Sequence, residues 1–233
     1  MKLKTALFLV MNGFASLTSS MAQSNIIQIS NQQKKVAITY SSAESKLAAE
    51  ILYSYLEKSL PNTFEIKDKN ITKSDAQIIL EIQKNNKELK DQEFILKSNS
   101  QDISLLATNL KSLKYAVYTL LEKWEFRKFT ATVSYIPKPD AFIFPKNFYQ
   151  KYQPTFAYRT LLYPDSYDQA FREWHKLDWF NDDFGLWGHT FDRLVPPKTH
   201  FKTNPKLYAL YEGKRRAESL CMTNDTVVEL LCS

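Results

Sequence analysis

Glycine and histidine are both missing from a long part of the chain, between Gln23 and Gln150. Three of the four glycines, all three histidines and three of the four tryptophans lie beyond it. Prolines cluster at this change in composition: Pro137, Pro139, Pro145 and Pro154. A shift of this kind across a proline-rich stretch is typical of a domain boundary. We therefore predict two domains, over residues 23–150 and 151–233, behind a leader over residues 1–22.

The leader has the features of a secretory signal peptide. Two lysines precede a mostly apolar run from Ala6 to Phe14, and small residues flank Met21. A basic start, a short apolar core and a small-x-small site direct export and cleavage. The apolar run is too short to span a membrane. We expect cleavage after Ala22 and a mature protein that is periplasmic or secreted, with no membrane association.

The composition of the mature part is that of a packed protein. The chain is 44% hydrophobic and 14% aromatic, which argues against disorder. Lysines and arginines number 31 against 25 acids, and the lysines are interleaved with acids along most of the sequence. Such a pattern indicates a solvated surface rather than a basic stripe. We therefore expect no nucleic-acid partner.

Two cysteines, Cys221 and Cys232, lie near the C-terminus. In an exported protein they could form a disulfide; the alternative, which we favour, is a pair of unpaired, buried thiols. No histidine or further cysteine lies at the spacing of zinc ligands from them, so the sequence predicts no metal site. Nothing in the sequence points to a cofactor.

The first domain alternates predicted strands and helices. Lys35–Tyr40 alternates and is rich in β-branched residues, which predicts a strand. Ser41 followed by Glu44 matches a capping box and predicts a helix that ends at Pro61. A second helical stripe covers Leu110–Trp124. Short apolar runs predict further strands: Ile26–Ile29, Thr63–Ile66, Ala76–Ile82, Glu93–Lys97 and Ile103–Ala107.

This order of elements predicts one mixed sheet with helices packed on one face, a two-layer α/β sandwich. The domain has no glycine-rich phosphate loop, and we identify no paired catalytic carboxylates and no nucleophile motif in it. We therefore expect the first domain to serve as a structural packing partner.

The second domain has a predicted β-α-β-α-β-α order, which is the pattern of a parallel sheet. Three strands cannot close an eight-stranded barrel, which needs about 200–250 residues. We therefore expect this chain to be the front of a longer protein. The predicted elements are, in order, a strand over Pro154–Tyr163, a helix over Ser166–Phe180, a strand over Gly185–Thr190, a helix or a pair of turns broken at Pro205 over Lys198–Leu210, a tight turn at Glu212–Gly213, a strand over Ser219–Met222 and a helical stripe from Val227.

The strand at Gly185–Thr190 has an aromatic–Gly–His–Thr centre. Alternate residues of a strand share a face, so Trp187 and His189 point the same way. A large apolar plate beside a titratable ring at the end of a strand suits the floor of a ligand pocket. The alternative is a core tryptophan and a histidine that bonds a nearby carbonyl.

Separated motifs of the second domain resemble a large uncharacterised bacterial family of exported glycosidase-like proteins. They are FAYR at Phe156–Arg159, GLWGHTF at Gly185–Phe191, FKTNP at Phe201–Pro205 and LCMTN at Leu220–Asn224. The resemblance covers nearly all of the mature chain and is strongest over Ala157–Asn224. It implies an α/β domain like that of family 67 α-glucuronidases and family 20 β-hexosaminidases, followed by the first β/α units of an incomplete TIM barrel.

The resemblance also implies where sugar-binding residues lie. Barrel enzymes bind ligands at the C-terminal ends of their strands, which places His189 and Asn224 near the mouth and Trp187 one step deeper. Arg159 matches an arginine that bonds sugar hydroxyls in the hexosaminidases, although the glycine that follows it there is Thr160 here. The alternative for Arg159 is a salt bridge inside the barrel, and for Trp187 it is plain core.

Glycoside hydrolysis needs two carboxyl groups across the scissile bond, or one acid with a substrate acetamide. In the related enzymes these acids come from later strands, which would follow Ser233, so we assign no catalytic residue in this chain. Asp165, Asp192 and Asp225 are expected to cap the turns in which they lie.

The sequence thus predicts the N-terminal portion of an exported glycoside hydrolase-like protein that binds carbohydrate and acts on polysaccharide-derived sugars. The fragment alone is expected to be inactive. One alternative is a carbohydrate-binding or scaffold protein on the same fold that has lost hydrolysis. Another is a structural α/β module without a ligand.

Cleavage of the leader can be checked directly. Expressed with its own leader in a Gram-negative host, the protein should begin at Gln23, because a small residue at Ala22 suits the signal peptidase. Ala22→Arg, which removes that small residue, should accumulate as uncut precursor. N-terminal sequencing of both forms decides the question, and a wild-type chain that keeps Met1 contradicts the prediction.

Overall fold

A computed structural model of the protein describes four stretches of the chain: residues 25–32, 35–69, 76–179 and 190–232. They form two compact units, unit 1 up to Leu177 and unit 2 from Asp178. These units are defined by contacts between residues, and the domain limits 23–150 and 151–233 remain a prediction. Within the described stretches, no helix is both long enough and apolar enough to cross a membrane.

The described part of unit 1 contains the strands β1 (Ile26–Ser30), β2 (Val36–Tyr40), β3 (Phe64–Asp68), β4 (Gln77–Ile82), β5 (Phe94–Ser98), β6 (Ile103–Ala107), β7 (Arg127–Lys128), β8 (Ser134–Tyr135), β9 (Ala141–Pro145) and β10 (Tyr149–Tyr152). Its helices are α1 (Ala43–Ser59), α2 (Leu110–Lys123) and α3 (Gln169–Trp174), and a 3₁₀ turn covers Pro164–Tyr167. The strands and the two long helices predicted for the first domain are confirmed.

Six of these strands form one mixed sheet in the order β10-β5-β6-β4-β2-β3. β2, β3, β4 and β6 are parallel, whereas β5 pairs antiparallel with β6 and β10 pairs antiparallel with β5. Helices α1 and α2 pack against each other and against the sheet, and they bury their apolar stripes at Leu52, Leu56, Leu113 and Val117. The predicted α/β class, with a mixed sheet and its helices on one face, is therefore confirmed.

The capping box of α1 lies one residue later than predicted. Ser42 is the N-cap, and its Oγ accepts a hydrogen bond from the Ser45 backbone N at 3.1 Å. The Oγ of Ser45 in turn accepts from the Ser42 backbone N at 2.9 Å. A hydroxyl can close the box because it both donates and accepts. Glu44 instead lies in the first turn, where its negative charge suits the helix dipole.

Residues within and beyond the proline-rich stretch, as far as Leu177, belong to unit 1. β9 pairs with β1, and β10 adds an edge strand to the sheet beside β5. Trp174 of α3 is only 2% exposed, and its ring centroid lies 5.5 Å from that of Tyr55 and 5.2 Å from that of Tyr118. The helix predicted over Ser166–Phe180 is shorter in the structure, and Trp174 anchors it to α1 and α2.

The strand predicted over residues 154–163 is not found, because this segment has no regular secondary structure. Pro154 has no backbone N–H to offer to a neighbouring strand. Side chains bond carbonyl groups of the segment instead: Ser166 Oγ donates to the Leu161 carbonyl at 2.6 Å, and Arg159 donates to a carbonyl three residues earlier. The segment therefore packs as an irregular strap.

The described part of unit 2 is a short helical stretch followed by a hairpin and a helix. Its elements are α4 (Phe191–Leu194), α5 (Pro197–His200), a 3₁₀ turn (Pro205–Leu207), β11 (Tyr208–Tyr211), β12 (Lys214–Leu220) and α6 (Asp225–Cys232). Of the two alternatives for Lys198–Leu210, the structure has the pair of turns broken at Pro205, which cannot continue a helix, and the last residues of this range begin β11. The predicted strand Gly185–Thr190 lies outside the described residues except for Thr190.

The hairpin turn of unit 2 is confirmed at Glu212–Gly213. Their φ angles are 50° and 76°, left-handed values that glycine adopts without strain. A two-residue turn of this hand matches the twist of paired strands, so β12 returns antiparallel to β11. The strand predicted at Ser219–Met222 is therefore corrected to the end of an antiparallel strand that begins at Lys214.

The anchor at Trp174 can be tested by substitution. Trp174→Ala should destabilise unit 1 by about 3–5 kcal/mol, because it removes a buried indole and leaves a cavity. Tyr167→Ala is the control: that ring is 65% exposed, and its loss should change stability by less than about 0.5 kcal/mol. Urea unfolding measures both variants. Equal midpoints for Trp174→Ala and the wild type would show that α3 is not anchored.

Candidate functional site

A cavity of about 310 Å³ opens in unit 1 where the irregular strap passes over the edge of the sheet. Three aromatic rings line it: Phe94 of β5, Tyr152 of β10 and Tyr115 of α2. Arg159 and His175 contribute polar groups to its wall. We refer to this space as the aromatic cavity.

The aromatic wall is set by strand pairing. Phe94 and Tyr152 are cross-strand partners, and their rings stack with centroids 4.7 Å apart and planes 13° apart. Cross-strand aromatic pairs on one face stabilise a sheet and hold each other's orientation. The Nζ of Lys123 lies 6.0 Å from the Tyr152 ring centroid, within the range of a cation–π contact. The orientation of the Tyr152 ring on the cavity wall is therefore fixed by Phe94 and Lys123.

Arg159 shapes the cavity through a fork of hydrogen bonds. Its Nε donates to the Lys176 carbonyl at 2.9 Å and its Nη1 to the Phe156 carbonyl at 2.6 Å. Its Nη2 donates to Gln92 Oε1 at 2.6 Å, and the guanidinium carbon lies 6.0 Å from the Tyr115 ring centroid. The planar fork thus ties together three chain segments that are far apart in sequence.

Two residues of the cavity wall hold left-handed backbone. Gln92 has a φ of 64° and Lys176 a φ of 58°. Residues other than glycine rarely adopt such angles and do so at a cost of about 1–3 kcal/mol. The Gln92 side chain is held at both ends, since Nε2 donates to the Ala157 carbonyl at 2.9 Å and Oε1 accepts from Arg159. Strain of this kind often marks functional sites.

His175 is positioned by two contacts. Its Nε2 lies 2.9 Å from the Lys128 carbonyl oxygen, which can only accept, so this nitrogen carries the proton. Its ring centroid lies 4.3 Å from that of Phe171. Sequence reasoning missed His175, Gln92 and Tyr152, because no local pattern shows that these separate segments meet.

A buried ion pair supports the strands beside the cavity. Glu93, whose side chain is 3% exposed, lies between Gln92 and Phe94, and its Oε2 lies 2.8 Å from Lys151 Nζ. The Lys90 backbone N also donates to this oxygen, at 2.9 Å. Burial raises the pKa of Glu93, but the hydrogen bonds and the lysine charge outweigh it, so the pKa of Glu93 is lowered overall.

The remaining predicted site residues lie elsewhere. Asn224, in unit 2, accepts from the Thr226 backbone N at 3.0 Å through Oδ1 and donates to the Lys206 carbonyl at 3.1 Å through Nδ2. It thereby caps the start of α6. Trp187 and His189 lie outside the described residues. Arg159 is therefore the one predicted residue that the described part of the chain places in the aromatic cavity.

The acids expected to cap turns have different environments. Asp165 Oδ1 accepts from the Ala131 backbone N at 2.7 Å, which corrects its expected role: it braces a loop 34 residues away rather than its own turn. Asp225 is the first residue of α6, where its charge suits the helix dipole, but the capping hydrogen bond there is made by Asn224. Asp192 lines a second cavity of about 600 Å³ within unit 2, together with Glu218. Both acids are exposed to solvent.

The two cysteines are unpaired thiols, and the expectation that both are buried is corrected. Cys221 is half-buried and Cys232 is exposed, because α6 presents one face to solvent. Hydrogen bonding to Thr223 and the nearby charge of Arg215 lower the pKa of Cys221. Among the described residues, no three histidine, cysteine or acidic side chains come together as a metal site would require.

Comparisons with known proteins bear on the class of this chain. A family profile described as a domain of unknown function, DUF4838, matches residues 128–233. No curated protein matches the sequence.

Solved structures similar to this chain include glycoside hydrolases. A family 20 exo-β-N-acetylglucosaminidase from Vibrio harveyi, solved with N-acetylglucosamine, is 18% identical with a TM-score of 0.39, over 57% of this chain and 18% of its own. A mutant β-hexosaminidase from Streptomyces plicatus, solved with its product GlcNAc, is 14% identical with a TM-score of 0.42, over 58% and 24%. A family 115 4-O-methyl-α-glucuronidase with specificity for decorated arabinogalactans is 18% identical with a TM-score of 0.42, over 58% and 19%.

The match thus spans between 18% and 24% of these three chains. The aligned part covers little more than half of this protein. What these enzymes bind or cleave is a property of the complete enzymes.

The ion pair beside the cavity makes stability depend on pH. Because the pKa of Glu93 is lowered on folding, the pair contributes stability that is fully present above the unfolded pKa of a glutamate, about 4.3. That contribution is lost as the pH falls through the lower folded value. Glu93→Gln should therefore be less stable at pH 7 and should lose less stability than the wild type between pH 7 and pH 3.

Urea midpoints at the two pH values measure this effect. Glu50→Gln is the matched control, because Glu50 is 49% exposed and its Nζ–Oε1 distance to Lys46 is 3.9 Å. Exposed pairs contribute little, about 0–1 kcal/mol, so this variant should follow the wild type. If Glu93→Gln also followed the wild type at both pH values, the pair would have no part in holding the cavity.

Proposed function

We propose that this chain is the N-terminal, carbohydrate-contacting portion of an exported glycoside hydrolase-like protein that acts on polysaccharide-derived sugars. The observation that carries the proposal is the aromatic cavity, in which Phe94, Tyr115 and Tyr152 stand beside the Arg159 fork. The signal-like leader supports export to the periplasm or beyond the cell. Trp187, His189 and Asn224 remain proposed as further sugar contacts.

The dimensions and chemistry of the cavity suit a sugar ring. Its volume, about 310 Å³, is at the lower end of the range of small-molecule sites. One face of a pyranose is apolar and packs against aromatic side chains, and Phe94, Tyr115 and Tyr152 line this space. The hydroxyl groups at the ring edge need polar partners, and Gln92 and His175 line the same space.

The cavity is suited to binding rather than to bond cleavage. None of the described residues that line it carries a carboxyl group, whereas hydrolysis needs an acid and a second carboxylate or a substrate acetamide. We therefore propose that the catalytic carboxylates come from other parts of the complete protein. The same observation favours the second candidate, a non-catalytic carbohydrate-binding or scaffold protein on this fold.

Sugar binding at the cavity can be tested on the purified chain. Calorimetric titration with neutral oligosaccharides should detect binding that Tyr152→Ala weakens about tenfold, or roughly 1.4 kcal/mol, because an aromatic side chain of the cavity wall is lost. Tyr149→Ala is the matched control: Tyr149 lies on the same strand, is 60% exposed and does not line the cavity. Equal affinity of the wild type and Tyr152→Ala would refute the site.

A second pair of variants distinguishes a sugar-binding role of Arg159 from a purely structural one. Arg159→Ala should weaken binding and lower the melting temperature together, because the fork that joins Gln92, Phe156 and Lys176 is removed. Arg159→Lys keeps the charge but lacks the planar fork, so it should resemble the alanine variant. If Arg159→Ala lost stability while its affinity stayed unchanged, Arg159 would be structural only, and the sugar contact would be rejected.

A further inference from the structure

The lysines and arginines of unit 2 are concentrated in one segment. The basic segment, Arg193–Arg216, holds seven lysines and arginines and a single acid, Glu212. Unit 2 as a whole, residues 178–233, has these seven basic residues and eight acidic residues, so seven of its acids lie outside the segment. Basic and acidic residues are therefore separated along the chain in unit 2, and the interleaved pattern of the rest of the sequence does not extend to the basic segment.

The cations of the basic segment are available to a partner. Six of the seven side chains are exposed, and Arg215 is half-buried because its Nη1 donates to the Tyr208 carbonyl at 2.7 Å. The ion pairs found in the described stretches all lie in unit 1, and none includes a residue of the basic segment. Exposed cations attract an anionic partner.

The hairpin adds an aromatic ring to this charge. Tyr211 of β11 pairs with Lys214 of β12 directly across the turn, so their side chains share a face. The guanidinium carbon of Arg216 lies 5.8 Å from the Tyr211 ring centroid. The Tyr211 side chain is 60% exposed. One face of the hairpin thus presents a ring and two cations to solvent; we refer to Tyr211, Lys214 and Arg216 as the hairpin face.

We propose that the hairpin face binds an acidic polysaccharide, one that carries a carboxylate on each sugar unit. Each unit of such a polyuronate offers a pyranose ring to stack on Tyr211 and a carboxylate for Lys214 or Arg216. A guanidinium fork accepts a planar carboxylate in a bidentate pair. The proposal names a substrate class and rests on the proposed carbohydrate function, but it concerns a surface in unit 2 that is separate from the aromatic cavity.

The ionic contribution to binding has a definite signature. The full chain should bind polygalacturonate at least tenfold more tightly than the fully methyl-esterified polymer, which has the same backbone without the charges. Affinity should fall as salt is raised from 50 to 200 mM, because exposed charges are screened. Affinity electrophoresis or calorimetry with the two polymers measures both effects.

Two double variants of equal net charge distinguish the effect of the hairpin face on binding from the effect of net charge. Lys214→Glu/Arg216→Glu should lose at least tenfold in affinity for polygalacturonate. Lys35→Glu/Lys87→Glu has the same net charge but alters two exposed lysines of unit 1, and it should bind like the wild type. Tyr211→Ala should bind several-fold more weakly, and Tyr211→Phe should restore the wild-type affinity because it keeps the ring. Near-ultraviolet circular dichroism confirms that each variant is folded.

Three outcomes would overturn the proposal. One is an equal loss in the two double variants, which would show a general effect of charge. Another is equally tight binding of dextran sulfate or duplex DNA at the same salt concentration, which would show an unselective polyanion surface. The third is the absence of polygalacturonate binding. Tyr152→Ala should leave polygalacturonate binding intact. A negative result for neutral sugars at the aromatic cavity is therefore distinguishable from a negative result at the hairpin face.

Discussion

The burial of Trp174 between Tyr55 and Tyr118 is the contact on which the aromatic cavity depends. Removing a large aromatic side chain from water contributes about 1.5–3 kcal/mol or more. Glu173, the preceding residue, adds an ion pair of 2.7 Å to Lys114 of α2. Together they fix the end of α3, and the next residues, His175 and Lys176, are thereby brought to the cavity wall.

Once α3 is fixed, the polar groups of the cavity can define its shape. The Lys176 carbonyl accepts one arm of the Arg159 fork, and Gln92 accepts another. The left-handed backbone of Gln92 and Lys176 is held by these bonds rather than by local sequence preference. The polar residues of the wall thus form a hydrogen-bond network in which each residue positions the next, and the aromatic rings line the rest of the cavity.

The two units carry different chemistry. Unit 1 holds three aromatic rings around the aromatic cavity. Unit 2 has its seven lysines and arginines within Arg193–Arg216, and Tyr211 lies beside Lys214 and Arg216 on the hairpin. The two proposed sites thus differ in chemistry: the aromatic cavity is proposed to bind a neutral sugar, and the hairpin face a charged one.

The sequence by itself determined the elements whose signals are local. The stripes of α1 and α2, the β-branched run of β2 and the Glu212–Gly213 turn depend on residues a few positions apart, so periodicity and turn chemistry predicted them. Tertiary structure decided the rest. β9 and β10 arise from a proline-rich stretch because distant strands supply their partners, and the predicted parallel strand at Ser219–Met222 became antiparallel because β11 lay beside it. The aromatic cavity likewise joins Gln92, Tyr115 and Arg159, and no local pattern records contacts between residues so far apart along the chain.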